Sequence, residues 1–157
     1  MIRPARPADL GEIVSLIRAL AEYERLSDSV DLDEATLREH LFGERRYAEV
    51  LLAEDEGEIA GFALFFHNFS TFLGRPGIYL EDLFVKPEHR GRGHGKALLT
   101  GLARLAIERG CGRLEWSVLD WNDSAIDFYR NLGAAPVDGW TGYRMTEDAM
   151  TKLVATT

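Results

Sequence analysis

The chain has 157 residues, 46% of them apolar and 28% charged, with a formal net charge of −8. That length and composition suit one globular domain with a single hydrophobic core and exclude a disordered or fibrous chain. The acidic balance argues against a nucleic-acid partner, whose phosphates demand a basic surface, and favours a cationic substrate, although solubility alone also explains acidic surfaces. No apolar run approaches the roughly 20 residues of a transmembrane helix, and the opening Met1-Ile2-Arg3-Pro4 leads into strand and helix signals with no apolar leader. One cysteine, Cys111, excludes an internal disulfide, so a cytoplasmic protein without membrane contact is expected.

Residues 2–5 read as a short first strand. Asp9 and Glu12 make a capping-box-like start, and Leu10, Ile13, Ile17, Leu20 and Ala21 recur at helical spacing, which predicts a helix over about 8–25. Asp33 is placed to cap a shorter helix carrying Leu37 and Leu41. The period then changes: residues 47–54 and 59–69 are β-rich and flank Asp55-Glu56-Gly57-Glu58, an antiparallel hairpin signal. After a looser stretch with Gly74, Pro76 and Gly77, residues 78–85 form a third β-rich run, which Lys86-Pro87 ends because proline cannot continue the ladder. A loop over 88–95 follows, then an apolar helical stripe of Leu98, Leu102, Leu105 and Ala106 that stops near Gly110. Residues 113–119 read as a strand, Asn122 or Asp123 caps a helix through about Leu132, and Gly133 ends it. Residues 135–137 and 143–145 carry weak strand signals. This order predicts an α/β fold, a mixed sheet with helices on its faces, in a single domain over 1–157.

The strongest chemical signal is Arg90-Gly91-Arg92-Gly93-His94-Gly95-Lys96, between the third β-rich run and a helix. Alternate glycines let the backbone turn tightly and approach a ligand. The helix that starts just afterwards offers unpaired N–H groups and the positive end of its dipole. With charge from Arg90, Arg92 and Lys96, the segment reads as a pyrophosphate cradle in an otherwise acidic chain. Other phosphate loops fail on spacing. Gly91 and Gly95 enclose three residues where a Walker loop has four, and Ala97 stands where that loop needs Ser or Thr. A dinucleotide fingerprint needs glycine at 96 or 98, occupied here by Lys96 and Leu98.

With Arg90-x-x-Gly93-x-Gly95 behind Tyr79-Leu80-Glu81-Asp82-Leu83-Phe84-Val85, the chain resembles the GCN5-related N-acetyltransferase (GNAT) superfamily, from Ile2 to about Arg144. It is more narrowly similar to the diamine (spermidine/spermine) and thialysine acetyltransferases. The matching segments are Leu20-Ala21-x-Tyr23-Glu24, Phe42-Gly43-Glu44, Tyr79-Leu80-Glu81-Asp82, Arg90-Gly91, Trp121-Asn122 and Phe128-Tyr129. The resemblance implies a mostly antiparallel central sheet with helices on both faces, acetyl-CoA as co-substrate without a metal, and a homodimer. It implies that Leu83, Phe84 and Val85 pair with the pantetheine arm through their backbone, and that the amides of Gly91, Arg92, Gly93, His94, Gly95 and Lys96 hold the pyrophosphate. Asn122, with Ser124 and Ala125 in the same segment, would meet the pantetheine, and Tyr129 matches the general acid. Asn122 and Tyr129 stand seven apart, which puts both near one helix face, although an N-cap and a core aromatic describe them equally well.

Acetyl transfer to an amine needs a base, because the free amine, not the ammonium, attacks. It needs donors for the oxyanion, here backbone N–H groups near Leu83–Val85, and a proton for the departing thiolate. The resemblance puts Glu81 at the amine as that base through water, and Tyr23, Glu24 and Asp82 around the cation. Strand alternation sends Glu81 and Asp82 to opposite faces, which leaves the core or a neighbouring chain as the alternative place for Asp82. Thr141 stands before Gly142-Tyr143-Arg144 where the diamine enzymes carry an acid, which favours a shorter amine over a long polyamine. His40, His67, His89 and His94 show no metal-ligand spacing, Cys111 reads as a packed thiol, and Trp116 and Trp121 read as packing residues. A protein or peptide amine as acceptor, and a non-catalytic module that senses CoA, are the rival readings.

Overall fold

Glu56 (φ 52°) and Gly57 (φ 85°) both occupy the left-handed region, so they form the two-residue turn that matches the twist of an antiparallel hairpin. That turn joins strand β2 (Glu49–Asp55) to strand β3 (Glu58–Ser70) in the computed structural model, which describes residues 1–156. β1 (Ile2–Pro4) pairs with β2, and β4 (Arg75–Val85) with β3, all antiparallel. β5 (Leu114–Trp116) joins β4 in parallel, so the five-stranded sheet is mixed, in the order β1-β2-β3-β4-β5. A parallel neighbour requires a crossover, and helix α3 (His94–Glu108) supplies it.

Alternation along the strands divides the core between two helical layers. On one face Ile13, Leu16 and Leu20 of α1 (Leu10–Tyr23) and Leu41 of α2 (Glu34–Phe42) bury Val50, Leu52, Phe62 and Phe84. On the other, Leu98, Leu99, Leu102 and Ala106 form the buried stripe of α3. There Gly101 lets the helix settle on Ile2 and Leu51. Asp33 caps α2 as its position predicts, accepting a hydrogen bond from Thr36 N at 2.9 Å.

Chain contacts fall into two compact units, residues 1–117 and 118–157. The sheet, α1, α2 and α3 belong to the first. The second holds α4 (Asp123–Asn131) and α5 (Glu147–Ala155).

Four expectations need correction. Asp9 stands at the N-cap of α1 but its side chain does not cap the helix: its carboxylate binds Arg3 at 2.8 and 3.0 Å and Arg6 N at 2.7 Å, and a 3₁₀ turn over Pro7–Asp9 precedes the helix. Those contacts, the Arg3 hydrogen bond first, hold Asp9 down at about 2. Pro76 and Gly77 belong to β4, because Gly77 has no side chain to strike Asn68 on β3. β5 is shorter than residues 113–119, ending at Trp116. Residues 135–137 and 143–145 form no strand. In their neighbourhood Thr146 accepts from Ala149 N and starts α5, whose Met150, Leu153 and Val154 follow at helical spacing with Glu147 and Asp148 in its first turn.

β3 and β4 approach closely at Gly61, where a methyl group would meet the Phe84 carbonyl oxygen at 2.5 Å. Gly61→Ala is expected to destabilise the fold by roughly 1–3 kcal/mol. Gly101→Ala, whose methyl would make ordinary contacts at 3.4 Å, should be neutral or gain up to about 1 kcal/mol from helix propensity. Urea unfolding of both variants checks the pair, and equal effects would disprove the close approach.

Candidate functional site

Lys86-Pro87 ends β4 and a 3₁₀ turn over Pro87–His89 leads into the glycine loop. Gly91 (φ 77°) and Gly93 (φ 85°) hold left-handed backbone that a side chain would strain, while the space before their Cα atoms is open. α3 starts at His94, inside the loop, with Gly93 as a cap that has no side chain to offer. The first intrahelical bond runs from Ala97 N to Gly93 O, so the amides of His94, Gly95 and Lys96 lie in the turn that lacks helical acceptors. A chain that must bring backbone N–H groups to an anion has this form, and the loop fits the pyrophosphate expected of it.

The basic side chains are disposed differently from expectation. Arg90 turns back: its Nε donates to Val85 O at 2.9 Å, and its guanidinium lies 5.0 Å from the Tyr23 ring and 5.4 Å from the Phe84 ring. Arg92 Nη1 donates to Asp55 Oδ2 at 2.7 Å. Lys96 is exposed on the first turn of α3. Asp55, at the hairpin end of β2, also binds His89. Hydrogen bonds from His89 and then Arg92 hold its carboxyl well below the usual carboxylate range. No local signal singles out Asp55, because its partners lie more than 30 residues along the chain.

β4 parts from β5 beyond Leu80: the parallel pairing covers only Ile78–Leu80, while pairing with β3 continues to Val85. Leu83, Phe84 and Val85 therefore keep one strand partner, and among the described residues no strand covers their other edge. The register with β3 slips at the same place, with Leu80 opposite Phe65 and Asp82 opposite Leu64, which leaves Glu81 as the bulged residue. The alternation that would put Leu80 and Asp82 on one face is thereby broken. Asp82 stands opposite Leu64, which packs on the α1 layer, and Glu81 is exposed.

This bulge gathers acids. Burial, then the charges of Glu81 and Glu24, push Asp82 up to about 6. Burial also raises Glu24, the C-cap of α1. Tyr23 packs on Phe84 with ring centroids 6.4 Å apart. The first unit thus brings together Tyr23, Glu24, Asp82, Phe84 and Arg90, with Glu81 acting on Asp82 through its charge.

In the second unit Asn122 is buried and caps α4, its Oδ1 accepting from Ala125 N and from Ser124 Oγ, each at 3.4 Å. Tyr129 lies two turns on, its ring 5.5 Å from that of Phe128. Elsewhere, Cys111 Sγ lies 3.9 Å from His67, whose Nδ1 bonds Gly77 O, and His40 packs edge-on against Tyr47. His89 and His94 meet at Asp55, a grouping the sequence spacing did not reveal.

Asp82 yields a pH signature. Between about pH 4 and pH 6 the folded chain keeps a proton on Asp82 that the unfolded chain has lost, so stability falls as pH rises through that window and the loss is complete above it. Asp82→Asn removes the buried charge. It should raise Tm by about 2–6 °C, roughly 1–2 kcal/mol, near pH 7.5 and change it little near pH 4. Thermal melts at the two pH values check this, and equal shifts at both would exclude the assignment.

The Acetyltransferase (GNAT) family model matches residues 13–134. A thialysine N-epsilon-acetyltransferase of Bos taurus is 43% identical, over 98% of this chain and 96% of its own length. An L-ornithine N5-acetyltransferase of Arabidopsis thaliana is 33% identical, over 95% and 85%. Among solved structures, an integron cassette protein from the mobile metagenome of V. cholerae superposes with a TM-score of 0.80 at 28% identity, covering 98% of this chain and 96% of that one. The chain belongs to the GNAT acetyltransferase family and is an N-acetyltransferase.

Proposed function

We propose that the protein transfers the acetyl group of acetyl-CoA to the primary amine of a small cationic acceptor, a thialysine-like amino acid or a short diamine. Transfer is by direct attack in a ternary complex, within one acetyltransferase domain over 1–157. The observation that carries the acceptor class is the gathering of the Glu24, Glu81 and Asp82 carboxylates at one strand bulge and one helix end, where burial raises Asp82 and Glu24. Three acids that already repel one another gain by admitting a cation. The relatives named for thialysine and L-ornithine acetylation support an amino-acid-like amine.

Acetyl-CoA supplies the activated acyl group. The amides of Gly91, Arg92, Gly93, His94, Gly95 and Lys96 are proposed to hold its pyrophosphate, and the open edge at Leu83, Phe84 and Val85 to hydrogen-bond its arm. Asn122, Ser124 and Ala125 form the second cofactor segment. Glu81, exposed at the bulge, accepts the ammonium proton through water. Backbone N–H groups near Leu83–Val85 stabilise the developing oxyanion. Tyr129 gives the leaving thiolate its proton. Tyr23, Glu24 and Asp82 hold the cation, and Thr141 supplies no further anchoring charge. A homodimer is part of the proposal; a monomer by light scattering would exclude it. Among the described residues no helix is long and apolar enough to cross a membrane, and a cytoplasmic location completes the proposal. Fractionation of cells producing the untagged chain tests the location.

Thiol release from acetyl-CoA over thialysine, lysine, short diamines, spermine, aminoglycosides and peptides tests the acceptor. A short amine should show higher kcat/KM than spermine, and Thr141→Glu should narrow the gap. A preference for spermine that the restored acid leaves unchanged, or faster turnover of peptides, would overturn the acceptor class. Tyr129→Phe should lower kcat by roughly 10²–10⁴-fold with acetyl-CoA affinity nearly intact. Turnover close to wild type, with chemistry rate-limiting, would return Tyr129 to a packing role.

A further inference from the structure

His89 and His94 flank the glycine loop and present their imidazoles to one carboxylate oxygen. His89 Nδ1 lies 3.1 Å from Asp55 Oδ2, and His94 Nε2 lies 3.1 Å from the same atom. The ligand-capable atoms of the three residues all lie within 4.8 Å of one another. His94 Nε2 is shielded from solvent yet makes no aligned hydrogen bond among the described residues. Buried ring nitrogens are ordinarily satisfied, and this one has the Asp55 oxygen in reach without an aligned bond, a gap that an ion between the two would close.

We propose that Asp55, His89 and His94 bind a divalent metal ion of the Zn²⁺ class. Two imidazoles and a carboxylate are the donor set that such ions take, at bond lengths of about 2.0–2.2 Å. Neighbouring donors around a tetrahedral ion of that size stand about 3.3 Å apart, and the two 3.1 Å spacings at Asp55 Oδ2 match two such edges. Arg92 holds the same oxygen at 2.7 Å with a side chain 54% exposed. The ion takes the place of that guanidinium, which swings into solvent, since both cations cannot share the atom. Glu58 Oε2 stands 3.6 Å from His89 Nε2, the ring nitrogen that does not face the ion, and a slight approach of this exposed side chain would make the outer contact that fixes a ligating imidazole. The ion ties the hairpin end of β2 to both sides of the loop. The inference is independent of the acetyl-transfer reading, and its test reads metal uptake rather than turnover.

Zn²⁺ is titrated by calorimetry into the untagged, chelator-treated full chain, with Tm followed in parallel. The expected result is one equivalent bound with a micromolar Kd and a raised Tm. Asp55→Asn and His94→Gln should each weaken binding at least about tenfold, with His40→Gln without effect and Arg92→Gln binding more tightly. Co²⁺ added to the wild-type chain gives a ligand-field spectrum that Zn²⁺ abolishes, a readout that needs no variant to fold. The proposal is overturned by no saturable Zn²⁺ uptake, or by affinity unchanged in both Asp55→Asn and His94→Gln. Unchanged affinity in Arg92→Gln, or a Co²⁺ spectrum like that of the aqueous ion, overturns it equally. The three side chains would then be a hydrogen-bonded clamp on the loop.

Discussion

Beyond Leu80, β4 satisfies its backbone on one edge only. A strand interior to a sheet has both edges paired, and polar backbone groups left without partners must find them in water or in a ligand. The parting of β4 from β5 is therefore the constraint on which the candidate site depends. It leaves Leu83, Phe84 and Val85 with no strand on one edge, where Arg90 takes the Val85 carbonyl, directly before the glycine loop. The bulge at Glu81 lies at the same point, and it turns Asp82 toward the layer that carries Glu24.

The acids there are held against their own preference. Burial, then repulsion from Glu81 and Glu24, raises Asp82. Arg90 is close by, but its guanidinium is spent on the Val85 carbonyl and on the faces of Tyr23 and Phe84. Arg90 thus joins β4, the loop and the end of α1, and leaves the carboxylates uncompensated. Of the loop's three basic side chains, Arg90 and Arg92 serve as struts within the protein.

What local pattern encodes was legible in the sequence. Glu56-Gly57 marked the hairpin, Asp33 the start of α2, and the alternate glycines the loop, because turn, cap and positive-φ preferences act over a few residues. The slip of one residue at Glu81 was not legible, since nothing in Tyr79-Leu80-Glu81-Asp82 distinguishes a regular strand from a bulged one. Asp55 was missed because its meaning lies in His89, Arg92 and His94, distant in the chain. In the tail, β-forming residues suggested strands, whereas the Thr146 cap and the acids after it favour α5. The roles of Asn122 and Tyr129 rest on likeness to the family, and their local geometry is that of an N-cap and a helical aromatic.

The sheet is laid down in chain order, β1-β2-β3-β4-β5, and this bears on how the molecule forms. β2, β3 and β4 are a meander of successive hairpins whose closures are short, so their assembly pays little loop entropy. β1 and β5 can dock only after α1 with α2, or α3, has been threaded past. On this topology the expected folding nucleus contains β4, with the close approach of Gly61 to Phe84 inside it. Mutational slowing of refolding, concentrated in this meander and small in β1 and β5, would be the kinetic mark of that order. The strand left half-open beyond Leu80 is, on this topology, also among the first to be fixed.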